Sequence, residues 1–149
     1  MELKDFLVKA KVNGYANKGE GGEVTKLRGG KELRYELDGY LYLDLYFGFD
    51  PFIGEEIVRF NDQVVWGMNY YGGLVSKTVD SRAVYIFLKK ALSLVTSDRP
   101  FRGPTNWREG DWKYSDQNSG DINSFSGQET ISFQGEEVYR LKYQGGVIK

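Results

Sequence analysis

The chain has 149 residues, 40% of them hydrophobic, 28% charged and 15% aromatic, with a net charge of −1. This is a globular composition long enough for one core, so a single domain over residues 1–149 is expected. Lys and Arg are scattered rather than gathered into a stripe, which speaks against direct nucleic-acid binding. The sequence contains neither cysteine nor histidine, excluding disulfides, thiol nucleophiles, imidazole bases and Cys/His zinc sites. No cofactor and no metal centre is implied, and catalysis would have to rest on Asp, Glu, Lys, Tyr or Ser.

The opening MELKDFLVKAKV is amphipathic. Leu3, Phe6, Leu7 and Ala10 share one helical face, which predicts a helix over 3–12. No apolar run is long enough to span a bilayer, so no membrane partner is expected and the predicted location is the cytoplasm. Residues 13–31 are rich in Gly and charge and read as a mobile loop with at most a short strand over 24–27. Asn13-Gly14-Tyr15-Ala16 reads as a helix stop. Gly19-Glu20-Gly21-Gly22 lacks the Lys-Ser/Thr of a phosphate loop.

Strands are predicted over 33–37, 40–47, 53–60 and 64–71, turning at Asp38-Gly39 and Asn61-Asp62 as an antiparallel meander. Asp80 or Ser81 caps a second helix to about Val95, with Val84, Phe87, Leu88, Ala91 and Val95 on one face. The stiff segment Arg99-Pro100-Phe101-Arg102-Gly103-Pro104 follows. Strands over 111–116, 124–133 and 138–143 close the chain.

Shifted by 73 residues, 52–75 aligns with 125–148 without a gap, and eight of the 24 positions are identical. One strand earlier, Tyr40, Tyr42 and Asp44 match Trp112, Tyr114 and Asp116, and Phe6-Leu7 echoes Phe87-Leu88. The expected fold is therefore α+β: a tandem duplication of a helix plus antiparallel strands, repeat one about 1–75 and repeat two about 80–149. The units would be related by a pseudo-two-fold axis, with the helices packed on antiparallel sheet.

Residues two apart in a strand face the same way. The side shared by both copies carries Tyr42, Trp66 and Tyr70, matched by Tyr114, Tyr139 and Tyr143, and is assigned to the interior. Arg140 and Lys142 fall on the outer side. The inward face also holds four carboxylates, Asp44, Glu56, Asp116 and Glu129. A buried carboxylate requires a partner. Each either accepts hydrogen bonds from tyrosines, amides or a basic residue, or contributes to a cavity in which Glu56 and Glu129 meet near the axis. Such a cavity, walled by Tyr42, Trp66, Tyr70, Tyr114, Tyr139 and Tyr143, would suit a cationic or amphipathic molecule. Arg102 either grips an anion or pairs with a Glu.

The segments NGYA (13–16), FIGEE (52–56), VVWGMNYYGG (64–73) and PFRGP (100–104) together resemble an uncharacterised family of small prokaryotic proteins, a domain of unknown function. Some of its members are fused behind helix-turn-helix regulators, which implies a sensory role. In architecture the duplicated unit also resembles drug-binding regulatory domains similar to the gyrase-inhibitory protein. The expected function is a ligand-binding or sensory module for a small cationic or amphipathic molecule. One alternative is a hydrolase in which Glu56 or Glu129 activates water beside a tyrosine, and another is a protein-interaction domain using exposed aromatics. The sequence leaves ligand identity and oligomeric state open.

Overall fold

The computed structural model describes residues 1–16, the backbone of 24–26, and 29–149. Helix α1 (Leu3–Lys11) runs into a π-helical turn, Val12–Ala16. The strands β1 (Val24–Lys26), β2 (Gly30–Leu37), β3 (Tyr40–Gly48), β4 (Phe52–Phe60) and β5 (Gln63–Leu74) precede helix α2 (Ser81–Leu92). Then come β6 (Asn106–Glu109), β7 (Trp112–Asp121), β8 (Ser124–Phe133) and β9 (Glu136–Val147). The loop expected over 13–31 lies largely outside the described residues, as does Gly19–Gly22.

All nine strands form one antiparallel sheet in the order β1-β2-β3-β4-β5-β9-β8-β7-β6. This overturns the expected α+β architecture of duplicated helix-plus-strands units with helices packed on a sheet. The helices span nine and twelve residues, while one continuous sheet runs through both ends of the chain, so the fold is mainly β. The physical reason lies in the strands. β5 and β9 each extend to twelve residues through their Gly-Gly pairs, and hydrogen-bonded ladders need no alternating side chains to continue. β6 forms just beyond Pro104, where a short polar segment gave no periodic signal.

The likeness between 52–75 and 125–148 appears as common strand register. Asp44 opposes Glu56 as Asp116 opposes Glu129, and both meanders slip register at one point, Val58/Arg59 and Ile131/Ser132. β5 and β9 pair so that Tyr70 faces Tyr143. The turns Asp38-Gly39, Asn61-Asp62 and Gln134-Gly135 have positive φ at both residues, the conformation whose twist matches that of the flanking strands.

Alternation sends Tyr42, Tyr46, Val58, Trp66, Met68 and Tyr70 inward from β3–β5, and Tyr114, Ile131, Tyr139, Leu141 and Tyr143 from β7–β9. Phe6, Leu7 and Ala10 of α1 and Val84, Phe87, Leu88 and Ala91 of α2 complete the same core. Arg140 and Lys142 are exposed. The Asp80 side chain caps α2 by accepting from the Arg82 amide at 3.3 Å, satisfying one of the helix's free N–H groups.

Candidate functional site

All four carboxylates are buried: Asp44 is 7% exposed, Glu56 2%, Asp116 1% and Glu129 0%. A tyrosine two strands away reaches each aspartate. The Tyr70 hydroxyl donates to Asp44 Oδ1 at 2.6 Å, and that of Tyr143 to Asp116 Oδ1 at 2.7 Å. Each ring crosses the strand between at a glycine, Gly54 opposite Tyr70 and Gly127 opposite Tyr143. A Cβ at Gly54 would lie 2.3 Å from the Tyr70 hydroxyl, and one at Gly127 2.2 Å from the Tyr143 ring. The repeated glycines therefore make space for the Tyr-to-Asp bonds.

The glutamates are held differently. Glu129 takes Arg102 Nε at 3.1 Å and Nη2 at 2.8 Å, a fork that carboxylate geometry favours. It also accepts from the hydroxyls of Tyr114 and, at 2.8 Å, Tyr139. Tyr114 in turn accepts the Gly103 amide at 2.9 Å. Arg99 Nη2 approaches Asp116 Oδ2 at 3.4 Å. Both oxygens of Glu129 are therefore engaged.

In the first half, Glu56 binds, among the described residues, only the Lys11 ammonium, which also donates to the Phe101 carbonyl at 2.8 Å and lies 5.9 Å from the Trp66 ring centre. Trp66 stands where Tyr139 stands in the other half. Its Nε1 is buried with no hydrogen-bond partner among the described residues, whereas the Tyr139 hydroxyl has Glu129. Among the described residues, the Tyr42 hydroxyl, Asp44 Oδ2 and Arg102 Nη1 carry no hydrogen bond, and no cation is ion-paired with Asp44.

These groups surround a cavity of about 60 Å³, room for roughly four to six waters. Lys11, Asp44, Glu56 and Arg102 give it polar ground. Tyr15, Tyr42, Tyr46, Phe49, Phe52, Tyr70, Tyr85, Leu88, Leu92 and Phe101 give it walls. Arg102 sits 5.6 Å over the Tyr70 ring, so it spans the seam between the halves, facing the cavity on one side and Glu129 on the other. The Tyr85 hydroxyl, donating to the Phe49 carbonyl at 3.1 Å, pins the β3–β4 turn beside the half-exposed Phe49 ring.

Burial, reinforced by the Glu56 charge, pushes Asp44 up to about 7 even though the Tyr70 hydrogen bond pulls it down. Asp116 is likewise pushed up to about 7 by burial and then by Glu129, with Tyr143 and Arg99 opposing. Burial and the nearby carboxylates hold the Tyr42 hydroxyl well above its ordinary value, so it remains a donor at neutral pH. Burial disfavours the Arg102 charge, but Glu129 more than offsets this and the guanidinium stays protonated.

Of the nine residues singled out from sequence, Tyr42, Glu56, Tyr70 and Arg102 line the cavity. Trp66, Tyr114, Tyr139 and Glu129 do not, being packed into the core beside it. Tyr143 instead borders, with the other edge of Tyr70, a wider groove of about 1180 Å³ on the opposite face. Glu56 and Glu129 do not share a cation site at the axis, because Lys11 and Arg102 already occupy those positions. Of the two roles weighed for Arg102, the structure shows pairing with a Glu. α1 ends at Lys11, and the turn over Val12–Ala16, kinked by the non-helical backbone of Gly14, brings Tyr15 and Ala16 to the cavity.

Sequence reasoning missed Lys11, which lies four residues after Leu7 on the border of the apolar stripe, and Tyr85 and Leu92 of α2. It placed Asp44 on the inward face without assigning it to the site, although its match with Asp116 was the available signal. Among the described residues no helix is long and apolar enough to cross a membrane.

No curated protein and no solved structure matches the chain. A family model matches residues 44–148, from Asp44 through β9, so that Glu56, Tyr70, Arg102 and Glu129 lie inside the match and Lys11 and Tyr42 before it. The chain belongs to the family described as Domain of unknown function (DUF5680).

Proposed function

We propose that the chain is a small-molecule binding module whose occupant is an amphipathic amine of single-ring size, its ammonium beside Asp44 and its apolar part among the cavity's rings. One observation carries the reading. Three of the four buried carboxylates have a basic partner, Lys11 on Glu56, Arg102 on Glu129 and Arg99 on Asp116. The fourth, Asp44, has among the described residues only a tyrosine hydroxyl, and it borders the cavity. A buried anion without a counter-charge is costly, and an ammonium placed there would remove that cost while the rings contribute cation–π attraction. A sensory use, in which a module of this kind reports an amine to a helix-turn-helix partner domain, extends the same reading.

The probe pair is benzylamine and its uncharged analogue benzyl alcohol, titrated by NMR into the millimolar range, since a ligand of so few atoms binds weakly. Benzylamine is expected to bind at pH 7.5 and to bind several-fold more weakly to Asp44→Asn, with benzyl alcohol weaker than benzylamine on the parent protein. Equal affinity of the two probes would sink the reading. Glu56 and Glu129 are engaged by their partners, so a hydrolytic alternative would also fall to Asp44 as the base, with Tyr42 as donor. Turnover of an ester or amide substrate, lost in Asp44→Asn, would favour that alternative.

A further inference from the structure

If the cavity takes an amine, its remaining polar groups restrict what else the occupant carries. Two donors face the cavity with nothing to donate to among the described residues: the Tyr42 hydroxyl and Arg102 Nη1. Arg102 is nine-tenths buried, with its other two nitrogens committed to Glu129. Their counterpart in the second half is engaged, because the Tyr114 hydroxyl both donates to Glu129 and accepts the Gly103 amide. An occupant that displaces water from these donors without replacing its acceptor leaves them unpaired, so a ligand that supplies an acceptor gains more than the same ligand without one.

Charge decides which acceptor. Lys11 balances Glu56 and Arg102 balances Glu129, and an ammonium would balance Asp44. A carboxylate on the ligand would add an uncompensated negative charge beside Asp44 and Glu56 in buried surroundings, whereas a carbonyl, amide or hydroxyl oxygen would not. We infer that the natural occupant is an amine bearing an uncharged acceptor oxygen, held by Arg102 Nη1 and the Tyr42 hydroxyl while the ammonium lies at Asp44. This rests on the amine-binding reading and narrows its ligand class to amino-carbonyl or amino-alcohol compounds, excluding zwitterionic amino acids.

The test uses one scaffold with three substituents: benzylamine, the 3- and 4-(aminomethyl)benzamides, and the matching (aminomethyl)benzoates, titrated at pH 7.5 into the full chain. At least one amide is expected to bind about tenfold more tightly than benzylamine, the gain typical of a hydrogen bond to a charged donor, and its benzoate more weakly than the amide. Tyr42→Phe should weaken amide binding several-fold more than it weakens benzylamine binding, and equal losses for both would contradict the inference. Amides that bind no more tightly than benzylamine, or benzoates that outbind amides, would overturn the inference and leave the amine reading standing. Benzylamine that binds no better than benzyl alcohol ends both.

Discussion

The two halves of the sheet place the same residue types at the same register and use them to opposite ends. The Glu129 carboxylate is closed off: an arginine fork and two tyrosine hydroxyls take both its oxygens, and the Tyr114 hydroxyl also accepts a backbone amide. Around Glu56 the supporting cation is a single lysine, Trp66 replaces the hydroxyl-bearing Tyr139, and the Tyr42 hydroxyl points to a cavity instead of a carboxylate. One carboxylate is enclosed by its partners and the other borders a cavity. The difference traces to what approaches each half from outside the sheet. The Pro100–Pro104 segment brings Arg102 and Gly103 onto β7 and β8, whereas α1 and the turn after it bring Lys11, Tyr15 and Ala16 to the cavity beside β3 and β4.

The largest test of this contrast removes the cations. Arg102→Met strands a fully buried Glu129 and is expected to cost about 3–5 kcal/mol. Lys11→Met leaves Glu56 facing a cavity that water can enter and should cost about 1–2 kcal/mol, a smaller uncompensated desolvation. Chemical denaturation of the two variants measures both, and equal losses would mean that the first-half cluster is as structural as the second.

Next comes pH. Asp44 and Asp116 each have a folded-state pKa of about 7 against an ordinary 3.8, so the folded chain binds their protons more firmly than the unfolded chain does. Stability is therefore greatest below about pH 4 as far as these groups decide it. It falls as pH rises toward 7 and is level above, by up to about 4 kcal/mol per group at roughly 1.4 kcal/mol per pKa unit. Asp44→Asn should flatten part of that fall and leave the chain at least as stable as the parent at pH 8. Asp116→Asn, which deprives Arg99 of its partner, should give less of that gain. Melting temperatures from pH 4 to 8 decide it, and parallel profiles for Asp44→Asn and the parent would contradict the assignment.

A bound amine should lower the Asp44 pKa in turn, so benzylamine affinity is expected to weaken by up to tenfold per unit as pH falls below about 7. The same titrations repeated at pH 5.5 check this, with a pH-independent affinity the contrary result.

The smallest effects separate the paired tyrosines. Tyr114→Phe removes two buried hydrogen bonds and leaves Glu129 and the Gly103 amide short of partners, a cost of about 1–3 kcal/mol. Tyr42→Phe removes a hydroxyl that has no partner among the described residues and should lie within about 0.5 kcal/mol of the parent. A large loss in Tyr42→Phe would show that its hydroxyl is structurally committed.

Much of this was legible before the fold was known. Period-2 alternation in β3, β4, β7 and β8 put Tyr42, Asp44, Glu56, Tyr114, Asp116 and Glu129 on one side, because a strand with one buried face must keep its apolar set in step. The match of Gly54 and Tyr70 with Gly127 and Tyr143 marked a packing relation repeated in both meanders. The fold class was misread, since helical periodicity at 3–12 and 80–95 signals that helices exist but not how small a share of the chain they form beside a nine-stranded sheet. The pairing of β5 with β9 joins segments far apart in sequence, and no local pattern specifies it. Nor does strand periodicity say which cation meets which carboxylate. Lys11 reaches Glu56 across 45 positions and Arg102 reaches Glu129 across 27, contacts set by how α1 and the Pro100–Pro104 segment pack on the sheet. The sequence by itself determined which side chains face inward, through alternation and the cost of exposing rings. Only the tertiary structure decided that Glu129 is sealed, that Glu56 opens on a cavity and that Asp44 lacks a basic partner among the described residues, because those outcomes depend on what is packed above each strand.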